Sequence, residues 1–330
     1  MIQGRQTTAF RKRAPGAFPP WSWLYGPLLL IYLLNAPVFA DEDGRPVHLL
    51  LSGDSTAYQE FETGFREVAD APLLEKLSVH IGEEAFPVSR ANEKPSPYWI
   101  AVGMQSLRWS LREHQDPLIA AMVPATSLNR LMETHRDRPI SGLYIDQHPL
   151  RHLRLIKQAL PDAERVGIIT APNDGERRSI FDEAADRADL ILRHHQVSDR
   201  DELIAAVRSL SREADALLIV PSQITRDSRN LRALLLQSFR GRLPVFAYSP
   251  GLVSAGSLMA IHSTPRTLGR ETAEQLMTLR DIPPEQWPDP DYPHHLALST
   301  NREVARSLGI RLPDQEVLKQ TLFREDSPEP

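Results

Sequence analysis

Residues 49–65, LLLSGDSTAYQEFETGF, set the first expectation about the fold. A continuous apolar run ends in Ser-Gly-Asp-Ser-Thr. Tyr58, Phe61, Phe65 and Val68 then recur at spacings of three and four, the period of a helix with one buried face. A strand that empties directly into a helix leaves unpartnered backbone N–H groups at its open end. Ser52, Asp54, Ser55 and Thr56 stand at that end, either as caps for those donors or as partners of a bound molecule.

The same unit repeats along the chain. Short apolar runs occur at 47–51, 99–102, 118–123, 142–145, 166–169, 190–192, 216–220, 245–248 and 258–261. Between them, 151–160, 177–188, 201–210, 230–240 and 266–279 read as amphipathic helices. Alternation of this kind predicts an α/β protein with parallel sheets, and the runs that are apolar throughout fit strands covered on both faces. Nine strands exceed one comfortable doubly wound domain, so two lobes are expected, with a boundary near 146–149. Residues 83–97 hold prolines and polar residues where a helix would be expected and read as a loop. Residues 282–293, IPPEQWPDPDYP, read as an extended crossing between lobes, and the tail from Arg324 as disordered.

The first forty residues have a different layout. Arg5, Arg11, Lys12 and Arg13 give a basic start, 21–34 an apolar run, and Val38-Phe39-Ala40 a small-residue exit, the pattern of a secretory signal peptide cleaved after Ala40. An apolar run of that length is short of the roughly twenty residues a membrane span needs. Taking its four basic residues from the 38 leaves 34 against 43 acidic ones, a formal charge of −9. Nucleic acid is therefore not an expected partner, because phosphate neutralisation needs clustered Lys and Arg. The chain has no cysteine, so it carries no disulfide and no lipid-bearing cysteine. An exported, soluble protein stabilised by a full-sized core is expected.

No G-x-G-x-x-G follows the first strand, and G-x-x-x-x-G-K-[ST], G-x-S-x-G and H-E-x-x-H are all missing from the sequence. The pairs His194-His195 and His294-His295 read as poor chelators, since neighbouring side chains in a strand point to opposite faces. Polar residues collect instead in the loops after the expected strands: 52–55, 103–105, 124–126, 144–147, 171–173, 221–223 and 248–249. Open parallel sheets bind ligands at that edge.

The order of segments resembles the substrate-binding proteins of ABC importers with the type I periplasmic fold, in particular the group with tryptophan- and tyrosine-binding members. The resemblance rests on SGDSTAYQEFETGF, IAVGMQSL, ISGLYIDQHPLRHLRLIKQALPDAERVGIITAPN, ADALLIVPSQ, PVFAYSPGLVSAGSLMAIHSTPRTLGRETAEQL and NREVARSLGIRLPD, which span nearly all of the chain after residue 40. It implies two Rossmann-like lobes joined by a three-segment hinge, crossing near 145–148, near 263–266 and within 283–295. Lobe 1 would comprise 41–147 with 264–283, and lobe 2 would comprise 148–263 with 284–323. It also implies ligand contacts at Ser55 and Tyr58, at Gly103, Met104 and Gln105, and at Thr126, Tyr144 and Asp146; Ser52 and Asp54, read from the strand-end loop itself, complete the candidate contacts of the first lobe. On the second lobe the implied contacts are Asn173, Ser222, Gln223 and Tyr248. The expected function is capture of a small polar or amphipathic ligand, amino-acid-like or aromatic, by a periplasmic monomer that delivers it to an inner-membrane permease. No metal or cofactor is implied. Two other readings stay open: an exported sensor domain, and a hydrolase with Ser55 or Ser222 as nucleophile, which would need a histidine base beside that serine.

Overall fold

The computed structural model describes residues 44–87, 95–172 and 175–326. The proposed signal peptide lies outside them. Among the described residues no helix is long and apolar enough to cross a membrane.

Among the described residues, eleven strands form two sheets. The first holds β1 (Val47–Leu51), β2 (Leu77–Ile81), β3 (Tyr98–Val102), β4 (Leu118–Val123) and β5 (Ile140–Tyr144), in the order β2-β1-β3-β4-β5, with every pairing parallel. The second holds β6 (Arg165–Thr170), β7 (Ile191–Gln196), β8 (Ala216–Leu218), β9 (Val245–Ala247), β10 (Met259–His262) and β11 (Ala297–Thr300), in the order β11-β10-β9-β8-β6-β7. Counted from its own first strand, the second sheet repeats the order of the first and adds β11, which pairs antiparallel with β10. The expected α/β architecture with two parallel-dominated lobes is therefore present. Strands β3, β5, β8 and β9 are buried at every residue, as helices on both faces require.

Two strands escaped the sequence reading. β2 is an edge strand with no fully buried residue, so its run LSVHI lacks the apolar density of the others. β11 follows the proline-rich stretch and has only Leu298 fully buried.

The chain does not stay in the second lobe once it enters. The helix Pro265–Leu279 packs on the first lobe, where Leu268, Ala273, Leu276 and Leu279 join the cluster of Val47, Phe61 and Ile100. It meets the helix Thr56–Val68 at two glycines. A methyl on Gly269 would sit 2.0 Å from the carbonyl oxygen of Phe61, and one on Gly64 would sit 2.0 Å from that of Arg266. The two backbones are in direct contact because neither residue has a side chain. Arg266 also pairs with Glu67 across this contact, on the solvent side where an ion pair adds little.

Three expectations need correction here. The stretch assigned to lobe 2 from residue 284 stays with the first lobe: Trp287 stacks on Tyr98 at 6.2 Å and packs in the first cluster, and Asp291 exchanges backbone hydrogen bonds with Gly142 and Tyr144. The third crossing is thus confined to 293–296. The final helix, Gln315–Asp326, runs past Arg324, because Leu318 and Leu322 are buried against the second lobe. His294 and His295 lie outside any strand, so the alternation argument does not apply to them.

Gly269→Ala should lower the unfolding free energy by about 3 kcal/mol, the upper end of overpacking costs, since backbone and not a flexible side chain must yield. Gly251→Ala, where a methyl meets only Ser249 Oγ at 4.0 Å, should stay within about 0.5 kcal/mol. Denaturant melts of both variants check this.

Candidate functional site

The loops leaving β4, β5, β8, β9 and β10 converge on a cavity of about 410 Å³, within the range of small-molecule sites. The first lobe contributes Pro124, Ala125 and Thr126 after β4, then Ile145, Asp146 and Gln147 after β5. The second contributes Ile219, Val220 and Pro221 after β8, Tyr248 and Ser249 after β9, and His262 and Ser263 at the end of β10. Ile180 and Phe181 cover one side from the helix Gly175–Arg187. The exposure of Ile145 and Ile180, 38% and 43%, lies in this cleft.

The polar groups of the wall are held by local structure. Asp146 Oδ2 accepts the Ala125 N–H at 2.7 Å, placing a carboxylate at the start of the helix Ala125–Thr134, where the unpartnered donors and the helix dipole favour negative charge. Behind it, the Tyr144 hydroxyl donates to Asn129 Oδ1 at 2.8 Å, and the Tyr144 ring meets Tyr292 edge-on at 5.0 Å. Burial raises the Tyr144 pKa, so the phenol stays protonated. His152, on the helix Pro149–Ala159, is pushed down to about 3 by burial and then by the charges of Arg151 and His148, leaving a neutral imidazole in the wall. Burial also lowers His262, whose Nε2 lies 3.0 Å from Ser299 Oγ. Arg226 reaches the cavity from the other lobe, and its guanidinium pairs with no carboxylate among the described residues.

Of the residues named from sequence, Thr126, Asp146 and Tyr248 line the cavity, and Tyr144 stands one hydrogen bond behind it. The loop after β1 does not reach it, for a reason visible in its own bonds. Ser52 Oγ donates to the Val102 carbonyl and accepts the Ser106 N–H at 3.0 Å. Tyr58 lies over Gly53, and its hydroxyl occupies the space a side chain on Gly103 would need; Gly103 itself has φ +93°. This loop closes on its neighbours instead of on a ligand. Asp54 and Ser55 are exposed, and Ser55 sits at an N-cap position without a side-chain cap bond. Met104 packs in the first lobe's second cluster, and Gln105 Nε2 donates to Glu83. Ser222 caps the short helix Gln223–Arg226 through Thr225, while Gln223 is exposed. Neither Ser55 nor Ser222 is hydrogen-bonded to a histidine among the described residues. Asn173 lies outside the described residues.

Sequence reasoning missed Gln147, His152, Arg226 and His262 as wall residues. Gln147 adjoins Asp146 and was within reach of the strand-end rule. Nothing in a helical pattern distinguishes His152 or Arg226 from an ordinary helix residue.

The sequence profile of the ABC transporter substrate binding protein family matches residues 119–322. The chain belongs to this family. That match takes in both sides of the cavity, from β4 to the last helix. Among solved structures, a substrate-binding protein with adhesive properties from Clostridium difficile, ligand-free and open, superposes with a TM-score of 0.65 at 16% identity, covering 82% of this chain and 97% of that one. An ABC domain in complex with L-Trp from Streptococcus pneumonia gives a TM-score of 0.53 at 15% identity, with 84% and 98% covered. A conserved domain protein from Vibrio cholerae gives 0.55 at 14% identity, with the same coverage. At these identities they establish the fold, that of the type I periplasmic binding proteins. No curated protein sequence matches the chain.

Two histidines held neutral make this substrate-binding protein acid-sensitive. His114, buried beside Arg138, is pushed down to about 3 by burial and by that charge, as His152 is. The unfolded chain protonates both near pH 6.5, so it binds the extra protons, and stability is full above that pH and lost as pH falls toward 3. Denaturant melts at pH 7.5 and 5.0 should differ by up to about 2 kcal/mol per histidine, the lower value at pH 5.0.

Proposed function

We propose that this substrate-binding protein is exported to the periplasm, traps a small amphipathic molecule between its lobes and presents it to the permease of an ABC importer. One observation carries the reading: a single cavity is walled by strand-end loops of both lobes, with the Asp146 carboxylate on one side and, on the other, the Arg226 guanidinium, which pairs with no carboxylate among the described residues. Asp146 suits a cationic group and Arg226 an anionic one, while Tyr248, Tyr292 and Phe181 suit an apolar or aromatic body between them. A molecule with two opposite charges and a flat body has the character of an aromatic amino acid. The relative solved with L-Trp makes tryptophan the first probe. The basic, apolar and small-residue order of residues 1–40 supports export.

Native mass spectrometry of freshly purified protein should detect a small bound molecule, and calorimetry with L-tryptophan should follow. Asp146→Asn and Arg226→Ala should each weaken binding roughly 10- to 150-fold, the loss of a charged hydrogen bond worth about 1.5–3 kcal/mol. Ser55→Ala should leave the affinity unchanged within about twofold, since its side chain is outside the wall. A protein that carries nothing and ignores L-tryptophan defeats the aromatic ligand class, and an Arg226→Ala variant of unchanged affinity removes the guanidinium from the contact.

N-terminal sequencing of the protein recovered from a periplasmic fraction should begin at or near Asp41. Recovery with Met1 intact in the membrane fraction defeats the export reading.

A further inference from the structure

Three segments cross between the lobes, at 145–148, 262–264 and 293–296, and a buried side chain of the first is bonded to the other two. Gln147, 4% exposed, stands in the first crossing. Its Nε2 donates to Ser263 Oγ in the second crossing at 2.5 Å and to the His295 carbonyl in the third at 3.3 Å. Ser263 Oγ completes the triangle by donating to the same carbonyl at 3.0 Å. On its other side, Gln147 Oε1 accepts from Arg151 Nη1 at 2.7 Å, and that nitrogen also donates to the Pro293 carbonyl.

The third crossing is gripped from the first lobe as well. Glu271, 4% exposed on the anchored helix Pro265–Leu279, accepts the backbone N–H of His294 at 2.8 Å and of His295 at 2.9 Å. His295 Nδ1 lies 2.9 Å from the same carboxylate. The crossings are thus joined by side chains, and Gln147 in the first and Ser263 in the second bond to each other and to the third, with Gln147 the buried member that is also tied to Arg151. A primary amide fits this position because it donates twice and accepts at once, and a buried member left unsatisfied costs the full desolvation of its partners.

We propose that Gln147 is the positioning residue of the cleft: by pinning the three crossings together it fixes the angle between the lobes in the ligand-free protein, and with it the width of the cavity whose wall it forms. The proposal stands apart from the identity of the ligand, because its test needs none.

The chain has no cysteine, so spin labels can be placed at will. Glu133→Cys and Asp186→Cys, both exposed, put one label on the first lobe's helix Ala125–Thr134 and one on the second lobe's helix Gly175–Arg187. Asp186→Cys with Arg240→Cys gives a control pair inside the second lobe. Gln147→Glu keeps the volume and the Arg151 contact but removes both donated bonds. Pulsed spin-resonance distances on the ligand-free protein should show a broader, shifted inter-lobe distribution in Gln147→Glu and an unchanged control pair. Ser263→Ala, which removes one receiving hydroxyl, should move the inter-lobe distribution the same way by less. An inter-lobe distribution identical to that of the unsubstituted protein overturns the proposal, as does equal broadening of both pairs, which would mean general loosening. If Gln147→Glu does not fold, Ser263→Ala decides by the same criterion.

Discussion

The close backbone contact of two helices, Gly64 against Arg266 and Gly269 against Phe61, governs the topology of this chain. After finishing the five parallel strands of the second lobe, the polypeptide goes back to cover the first, and it can do so only because two helices approach without side chains between them. Once the helix Pro265–Leu279 is fixed there, its apolar face completes the core of Val47, Phe61 and Ile100. The remaining strand, β11, must then cross again to reach β10, where its pairing is antiparallel because the chain arrives from the opposite direction. The second and third crossings follow from that contact, and with the first they frame the cleft between the two lobes.

The crossings are energetically unlike the lobes they join. Each lobe rests on buried apolar clusters, aliphatic and aromatic, whose stabilisation scales with area and tolerates no change of geometry cheaply. The crossings rest on directed bonds from Gln147, Ser263, Arg151 and Glu271 to one another and to backbone carbonyls and amides. Backbone groups outside helix and sheet still require partners, and side chains supply them here. A junction made of a few hydrogen bonds, each worth about 1 kcal/mol net, can change angle while the lobes stay rigid, which is what hinge closure requires.

The lobes were legible in the sequence because a parallel strand covered on both faces must be apolar throughout, and runs such as WIAV and LIAAMV satisfy that with no competing explanation. Edge strands are free of that demand, which is why LSVHI passed unnoticed. The site was legible only as a place. Strand-end loops were the right features, yet which of them open into a cavity depends on what each loop does with its own polar groups. Ser52 and Tyr58 spend theirs on Val102, Ser106 and the space above Gly103, an arrangement that no spacing along the chain discloses. Asp146, by contrast, was recoverable, since it stands between a buried strand and a helix start at the lobe boundary. The boundary itself was misplaced near residue 284, because a proline-rich segment reads as a linker whether or not a tryptophan within it is packed on a neighbour.

The electrostatics of the cavity follow from where burial falls. His152 and His262 stand deep in the wall, and burial keeps their imidazoles uncharged, so neither supplies a fixed charge to a ligand at neutral pH. Among the described residues, the charge available comes from Asp146 and Arg226, which belong to different lobes. Asp146 is tied to the helix start at Ala125, and its position moves with the first lobe; Arg226 follows the short capped helix of the second. In the reading proposed above, the two ends of a ligand are therefore held by bodies that the hinge moves relative to each other. A dipolar molecule of the right length meets both only at one inter-lobe angle, whereas a shorter or singly charged one meets one. Selectivity in such a site comes from the hinge as much as from the wall, and the bonds of Gln147 that set the angle belong to the specificity of the cavity.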